Sequence, residues 1–343
     1  MKRFLVILIL VVGFFLLKTF YQAGQFKSID PHFDGKVSKI YTNMPGPEDL
    51  QVDHKTGVLF ISSAARRGEE ESNNDGIYFL DLNSTESPIL LSTDYTGSFH
   101  PHGISLLRKD STLYIFAINH NNNGDYVEKF KFNGSSLEHI ASYSAPDICC
   151  PNDLVAIDVD KFYVSNDHGT KTGIMRILED YIRMPRSALF YYDGTSFTKA
   201  AGPFNYANGV NVSNDKNRLY LTTTTGASII TFDVHDDGTL TRKGTTDLGT
   251  GVDNIDVDEE GNLWIGAHPK LLDFVSHAKD STSISPAQIL KLTPVDEYSY
   301  SVEEIYLNDG NEISGSSVGI YYKNELFIGV VLDHTLLRAS LSK

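Results

Sequence analysis

The chain has 343 residues and carries 44 acids against 29 bases, a net charge of −15. That excess excludes a nucleic-acid backbone as a partner and suits a soluble or cation-binding body. The two cysteines, Cys149 and Cys150, are neighbours, so no disulfide framework is on offer and the redox compartment stays open.

The N-terminus reads as a targeting segment. Lys2 and Arg3 precede an unbroken apolar run from Phe4 to Leu17, and Lys18 follows. Charge followed by an apolar core is the order of a secretory signal. Its length lies between a signal core and a membrane span, and "YQAGQF" is a poor cleavage site. Residues 1–25 are therefore expected to be a signal anchor or signal peptide, with the rest of the chain extracytoplasmic, membrane-anchored or secreted. Asn-x-Ser/Thr triplets start at Asn83, Asn133 and Asn211 and are glycan acceptors only in a eukaryotic host.

From about Phe33 onward the chain is poor in helical patterning and rich in short strands divided by Gly, Asn and Asp turns. Six strands share one character: "LFISS" from Leu59, "LYIFAINH" from Leu113, "FYVSNDH" from Phe162, "LYLTTT" from Leu219, "LWIGAHP" from Leu263 and "LFIGVV" from Leu326. Each follows a partner strand: "PEDLQV", "PHGISL", "PNDLVAI", "ANGVNV", "VDNIDV" and "SSVGIY". Turns such as "DHKTG" and "DEEGN" suit hairpins between them. Six repeats of one hairpin, spaced by tens of residues, predict an all-β fold: a six-bladed β-propeller over 33–343, preceded by an N-terminal hydrophobic helix. A β-sandwich needs no such repeat.

Aligning the partner strands on their first apolar residue stacks two polar columns. One holds Glu48, His102, Asn152, Asn208, Asp253 and Ser316; the next holds Asp49, Gly103, Asp153, Gly209, Asn254 and Ser317. Innermost strands of a propeller run along the central channel, so both columns converge on one axis. Buried and unpaired, such charges cost several kcal/mol each. A hard divalent cation removes that cost, and carboxylate with amide oxygens is a calcium ligand set. A water-filled channel that wets six polar ends is the alternative.

The strings "GPEDL", "HPHGIS", "PNDLVA", "FYVSNDH", "FNYANGVNVS", "VDNIDVD", "LWIGAHP" and "GSSVGIYYKNELFIG" resemble the paraoxonase/arylesterase family, which comprises six-bladed esterases and lactonases with two calcium ions. The resemblance runs from about Gly46 to the C-terminus. It implies a catalytic calcium held by Glu48, Asn152, Asn208, Asp253 and Asn254. A structural calcium would take Asp49, Asp153 and the backbone carbonyl of Ile104. It also implies His102 and His120 as the catalytic base pair, His268 as a pocket residue, and His168 as support for the structural calcium or its loop. An imidazole titrating near neutrality suits a base, although Glu48 or Asp253 could serve instead. The function implied is calcium-dependent hydrolysis of lactones and aryl esters.

In "TGIMRILEDYIRMPRS", Ile174, Ile177, Leu178, Tyr181 and Ile182 recur at helical spacing. The family carries an amphipathic roof segment that meets lipid there, so residues 174–185 are a second expected membrane contact. A helix packed on its own propeller fits the pattern equally. "HPKLLDFVSHAKDSTSISP" reads as a long loop over the same face. Two features depart from the family. No cysteine stands where its animal members close the ring with a disulfide, which leaves "VSKIY" to pair with "LLRAS". Ala267 replaces a free cysteine, and Cys149 and Cys150 read as strand residues. A gluconolactonase/regucalcin-like sugar lactonase normally uses one metal, which the doubled column disfavours. A non-catalytic strictosidine-synthase-like propeller predicts gaps in the ring, and none occurs.

Overall fold

The computed structural model describes residues 2–67, 73–84 and 86–342, with the side chains of residues 2, 8, 11 and 12 excepted. Six antiparallel sheets are arranged around a channel. Their innermost strands are Pro47–Asp53, Pro101–Lys109, Pro151–Asp158, Ala207–Val212, Gly251–Val257 and Ser316–Tyr322, and each touches the innermost strand of the next blade. These are the six partner strands anticipated from the repeat. Every one pairs with the apolar strand that follows it. The fold is thus an all-β six-bladed propeller with few helices.

The apolar strands are β-branched and aromatic on both faces because both faces are covered. Phe60 and Phe79 of blade 1 pack with Ile104 and Phe130 of blade 2. Leu59 and Ile61, pointing the other way, pack with Val318 and Phe327 of blade 6. Burying each such side chain contributes about 1.5–3 kcal/mol, and the repeat distributes that gain evenly around the ring.

Closure is by strand pairing and the packing that goes with it. The early strand Gly35–Thr42 is the outer strand of blade 6 and pairs with the last one, Thr335–Leu341, in the register Val37↔Ala339 and Ile40↔Leu337. This is the "VSKIY" with "LLRAS" pairing expected from the missing cysteines. A two-residue strand, His32–Phe33, caps blade 5.

Among the described residues three α-helices accompany the sheets: α1 (Lys2–Gln22), α2 (Ile174–Ile182) and α3 (Leu271–Lys279). The last folds within a segment expected to be a loop. Together they gather at one end of the propeller. Leu271 N donates to Ala23 O at 2.9 Å, Arg183 Nη2 donates to Gln22 O at 2.8 Å, and Gln25 Nε2 donates to Asp273 Oδ1 at 2.8 Å. Among the described residues no helix is long and apolar enough to cross a membrane, which says nothing of β-barrel spans. Asn211 lies on an innermost strand and donates its side-chain amide to Ile255 O at 3.0 Å, so of the three glycan triplets it is the one built into the ring.

Candidate active site in the central channel

Consecutive residues of a strand normally point to opposite faces, yet Glu48 and Asp49 are both buried, at 1% and 3% exposure. The reason is a β-bulge. In all six innermost strands the pairing register slips at the polar columns: between Pro47 and Asp49, Pro101 and Ile104, Pro151 and Leu154, Ala207 and Val210, Val252 and Ile255, and Ser316 and Val318. An extra residue re-aims the side chains, and every member of the two columns is buried except His102, which is partly exposed. The glycines of the second column have a steric cause. A Cβ on Gly103 would lie 2.5 Å from Asp153 Cα, and one on Gly209 would lie 2.7 Å from Asn254 Cα. Neighbouring strands approach too closely there for any side chain.

The first column, with Asn254, forms an upper cluster. Asn254 Nδ2 donates to Glu48 Oε1 at 2.8 Å across the channel, and Asn208 Nδ2 donates to Thr224 Oγ1 at 2.9 Å. The opposite oxygens, Glu48 Oε2, Asn152 Oδ1, Asn208 Oδ1 and Asn254 Oδ1, are all buried without a hydrogen-bond partner. Each such orphan costs about 1–3 kcal/mol, and four of them belong to one expected ligand set. Asp253 completes it: its Oδ2 accepts from His268 Nε2 at 2.9 Å, and burial still raises its carboxyl above the usual range. His268 is itself only 2% exposed and lies under Phe274 of α3, ring to ring at 3.9 Å. It stands behind Asp253 as an orienting group. Among the described residues no three His, Cys, Asp or Glu side chains converge as a metal site; three of the four orphan oxygens here belong to amides.

Asp49 and Asp153 form a lower pair with different bonding. Asp49 accepts from Leu50 N at 2.8 Å and from Ile104 N of blade 2 at 2.7 Å. Asp153 accepts from Leu154 N and from Val210 N of blade 4, both at 2.7 Å. Burial pushes both carboxyls well above their ordinary range, and for Asp49 the neighbouring Asp153 and Glu48 add to it. Two accepted hydrogen bonds leave each carboxylate further lone-pair capacity. Ile104 meets Asp49 through its N–H.

A polar chain runs outward from the upper cluster. His102 Nε2 is 3.6 Å from Glu48 Oε1, His102 Nδ1 is 3.0 Å from His120 Nε2, and His120 Nδ1 is 2.7 Å from Asp125 Oδ1. Lys171 Nζ donates to the other Asp125 oxygen at 2.8 Å. Burial holds the His120 imidazole below its ordinary value, against its hydrogen bond to Asp125. A neutral His120 that donates from Nδ1 to Asp125 accepts at Nε2 from His102 Nδ1–H, which leaves a lone pair on His102 Nε2 at the centre.

Two participants were not anticipated. Asp125 is the direct cross-strand partner of His120, so the "HNNNGD" hairpin contained the signal. Arg66 donates to Gly46 O and Ala64 O at 2.9 Å and to Pro101 O at 2.6 Å, and its guanidinium lies 4.0 Å from Glu48 Oε2. It comes from an unrepeated loop and left no pattern to read. His168 departs from expectation: it bridges Asp167 and Asp180, at 2.6 and 2.7 Å, and so pins α2. Cys149 and Cys150 lie in the bend before Pro151, not in a strand. A cavity of about 320 Å³ opens between the three helices. Phe274 and Thr224 line it and connect it to His268 and Asn208.

Family membership and fold together place the chain in a class, the propeller hydrolases of carboxylic esters, through the following comparisons. Comparison with known proteins gives the family: the profile described as Arylesterase matches residues 40–339, and the chain belongs to that family. It is 32% identical over 305 residues to serum paraoxonase/arylesterase 1 of Homo sapiens. Serum paraoxonase/arylesterase 2 of Gallus gallus is 31% identical over 303 residues. In both cases 85% of each chain is covered. The fold is also similar to that of a calcium-binding protein, regucalcin, from Agrobacterium tumefaciens, with a TM-score of 0.54, 14% identity, and 90% and 96% of the two chains covered.

Proposed function

We propose that this protein is a calcium-dependent hydrolase of lactones and aryl esters. The observation that carries the reading is the set of four orphan oxygens on Glu48, Asn152, Asn208 and Asn254, all on residues named from the sequence as ligands. With Asp253 they would hold one ion, and their two carboxylates balance its charge. Asp49, Asp153 and the carbonyl of Ile104 would hold a second, again with two balancing carboxylates. When bound, the first ion polarises the ester carbonyl and steadies the negative charge that develops on its oxygen.

The remaining chemistry belongs to side chains. His102 Nε2 takes a proton from the attacking water, while His102 Nδ1–H is held by His120 Nε2 and His120 Nδ1–H by Asp125. Once His102 holds that proton, its charge, with Arg66 near Glu48 Oε2 and Asn254, outweighs burial and holds the Glu48 carboxyl below its ordinary range. Phe274, Leu271, Leu272 and Tyr181 give the adjoining cavity an apolar wall for the aryl or alkyl part of a substrate.

An extracytoplasmic location fits the same end of the molecule. Helix α2 is built inside out: Ile174, Ile177 and Ile182 are exposed, whereas Glu179 is buried and accepts from Gly169 N at 2.8 Å. An apolar outward face beside the exposed α1 suits contact with lipid, with α1 as anchor or export signal. The test is hydrolysis of phenyl acetate and of γ- and δ-lactones with and without a chelator. Chelation is expected to abolish turnover, and calcium to restore it. Turnover that survives complete calcium removal overturns the proposal.

A further inference from the structure

The hydrolytic scheme leaves the two cysteines unused. Cys149 and Cys150, both partly exposed, occupy the bend that leads into Asn152. Their Sγ atoms approach to 2.8 Å. The bend is held from several sides. Cys150 N donates to Asn166 Oδ1 at 2.7 Å, and Asp167 N donates to Cys150 O at 2.9 Å. The Cys149 thiol donates to His168 O at 3.3 Å, an oxygen that also accepts from Asn166 Nδ2 at 2.6 Å. His168 then reaches Asp180 of α2. The sulfur pair thus sits at the joint between the Asn152 strand and the helix that roofs the cavity.

We propose that Cys149 and Cys150 form a thiol–disulfide exchange site, which a low-molecular-weight disulfide closes to a vicinal disulfide, loosening α2 and displacing Asn152. Cys149 Sγ attacks one sulfur of RS–SR, forms a mixed disulfide and releases one RS⁻. Cys150 Sγ then attacks Cys149 Sγ, breaking the mixed bond and releasing the second RS⁻. Two thiols are oxidised, one small disulfide is reduced to two RSH, and the two protons leave with them. The hydrogen bond from Cys150 brings the Cys149 thiol down to about 7, against burial, which gives a useful thiolate fraction near neutrality. Adjacent Cα atoms lie about 3.8 Å apart, short of the usual range of about 4.4–6.8 Å. The product is therefore strained and easily reduced, which suits a reversible modification better than a staple. Once closed, Cys149 has no proton to donate to His168 O.

Only the link to Asn152 rests on the proposed hydrolase; closure itself is read by mass. Treatment of the whole protein with oxidised glutathione should consume both thiols and lower the intact mass by two hydrogens, with no glutathione retained and full reversal by dithiothreitol. Cys150→Ser should instead retain one glutathione. Amide exchange over residues 174–182 should rise, and ester hydrolysis should fall roughly tenfold. Unreacted thiols, or glutathione retained on the unsubstituted protein, overturn the exchange site. Unchanged exchange over 174–182 overturns the link to α2, and unchanged hydrolysis by an active protein overturns the link to Asn152. A protein with no hydrolytic activity in any state contradicts the functional proposal and leaves the mass result standing.

Discussion

The upper cluster and the lower aspartate pair occupy one channel and are made by one device, the bulge, yet they satisfy their oxygens in opposite ways. In the upper cluster four buried oxygens find no donor; in the lower pair both aspartates accept from backbone N–H groups, one of them on the next blade. A protein that leaves acceptors bare in one place and laces them to its backbone a residue away has separated two tasks. Under the proposed function the bare oxygens would hold an ion directly, whereas the laced ones tie blades together and would lend only their remaining lone pairs to a second.

The comparison can be broken by substitution. Asp253→Ala should lower kcat/KM roughly a thousandfold and lower the thermal midpoint less than Asp49→Ala does, because it leaves one buried donor, His268 Nε2, without its acceptor where Asp49→Ala leaves two. Asp49→Ala should lower stability by about 3 kcal/mol, since Ile104 N and Leu50 N lose their acceptor, and should lower activity only as folded protein is lost. Denaturation curves and initial rates on the same preparations check both; the reverse pattern would exchange the two roles. A smaller effect sharpens the upper site. Asp125→Asn, which disturbs the tautomer of His120, should lower kcat about tenfold with KM unchanged in steady-state assays.

The smallest effect concerns the roof. Burial opposes charge on His168, but Asp167 and Asp180 outweigh it and raise the imidazole to about 9, above the ordinary value of about 6.5. The clamp therefore contributes fully below about pH 6.5 and is lost as pH rises through about 9. Amide exchange over α2 should quicken across that window while the propeller strands stay protected, and His168→Gln should remove the pH dependence.

The ring was legible in the sequence because it is repeated. Six hairpins with polar residues at one register announce a shared axis, and the residues named from those columns, Glu48 through Ser317, lie together at it. The bulges were not legible: a slip of register leaves no residue signature when Glu, Asn and Asp replace one another. Arg66 and α3 belong to loops inside blade 1 and blade 5 that occur once. Asp125 sat five residues from His120 in a hairpin whose pairing register brings them face to face. Periodic information reveals scaffolds and what converges on them; single loops, which tune a site, have nothing to be compared with.

The seam between Gly35–Thr42 and Thr335–Leu341 ties the fate of the ring to both chain ends. Without a covalent latch, the loss of the last few residues would unzip blade 6, admit water beside Glu48, and free the segment that leads to α1. A carboxy-terminal trim would therefore be felt together at the axis and at the end where the three helices gather, as one event.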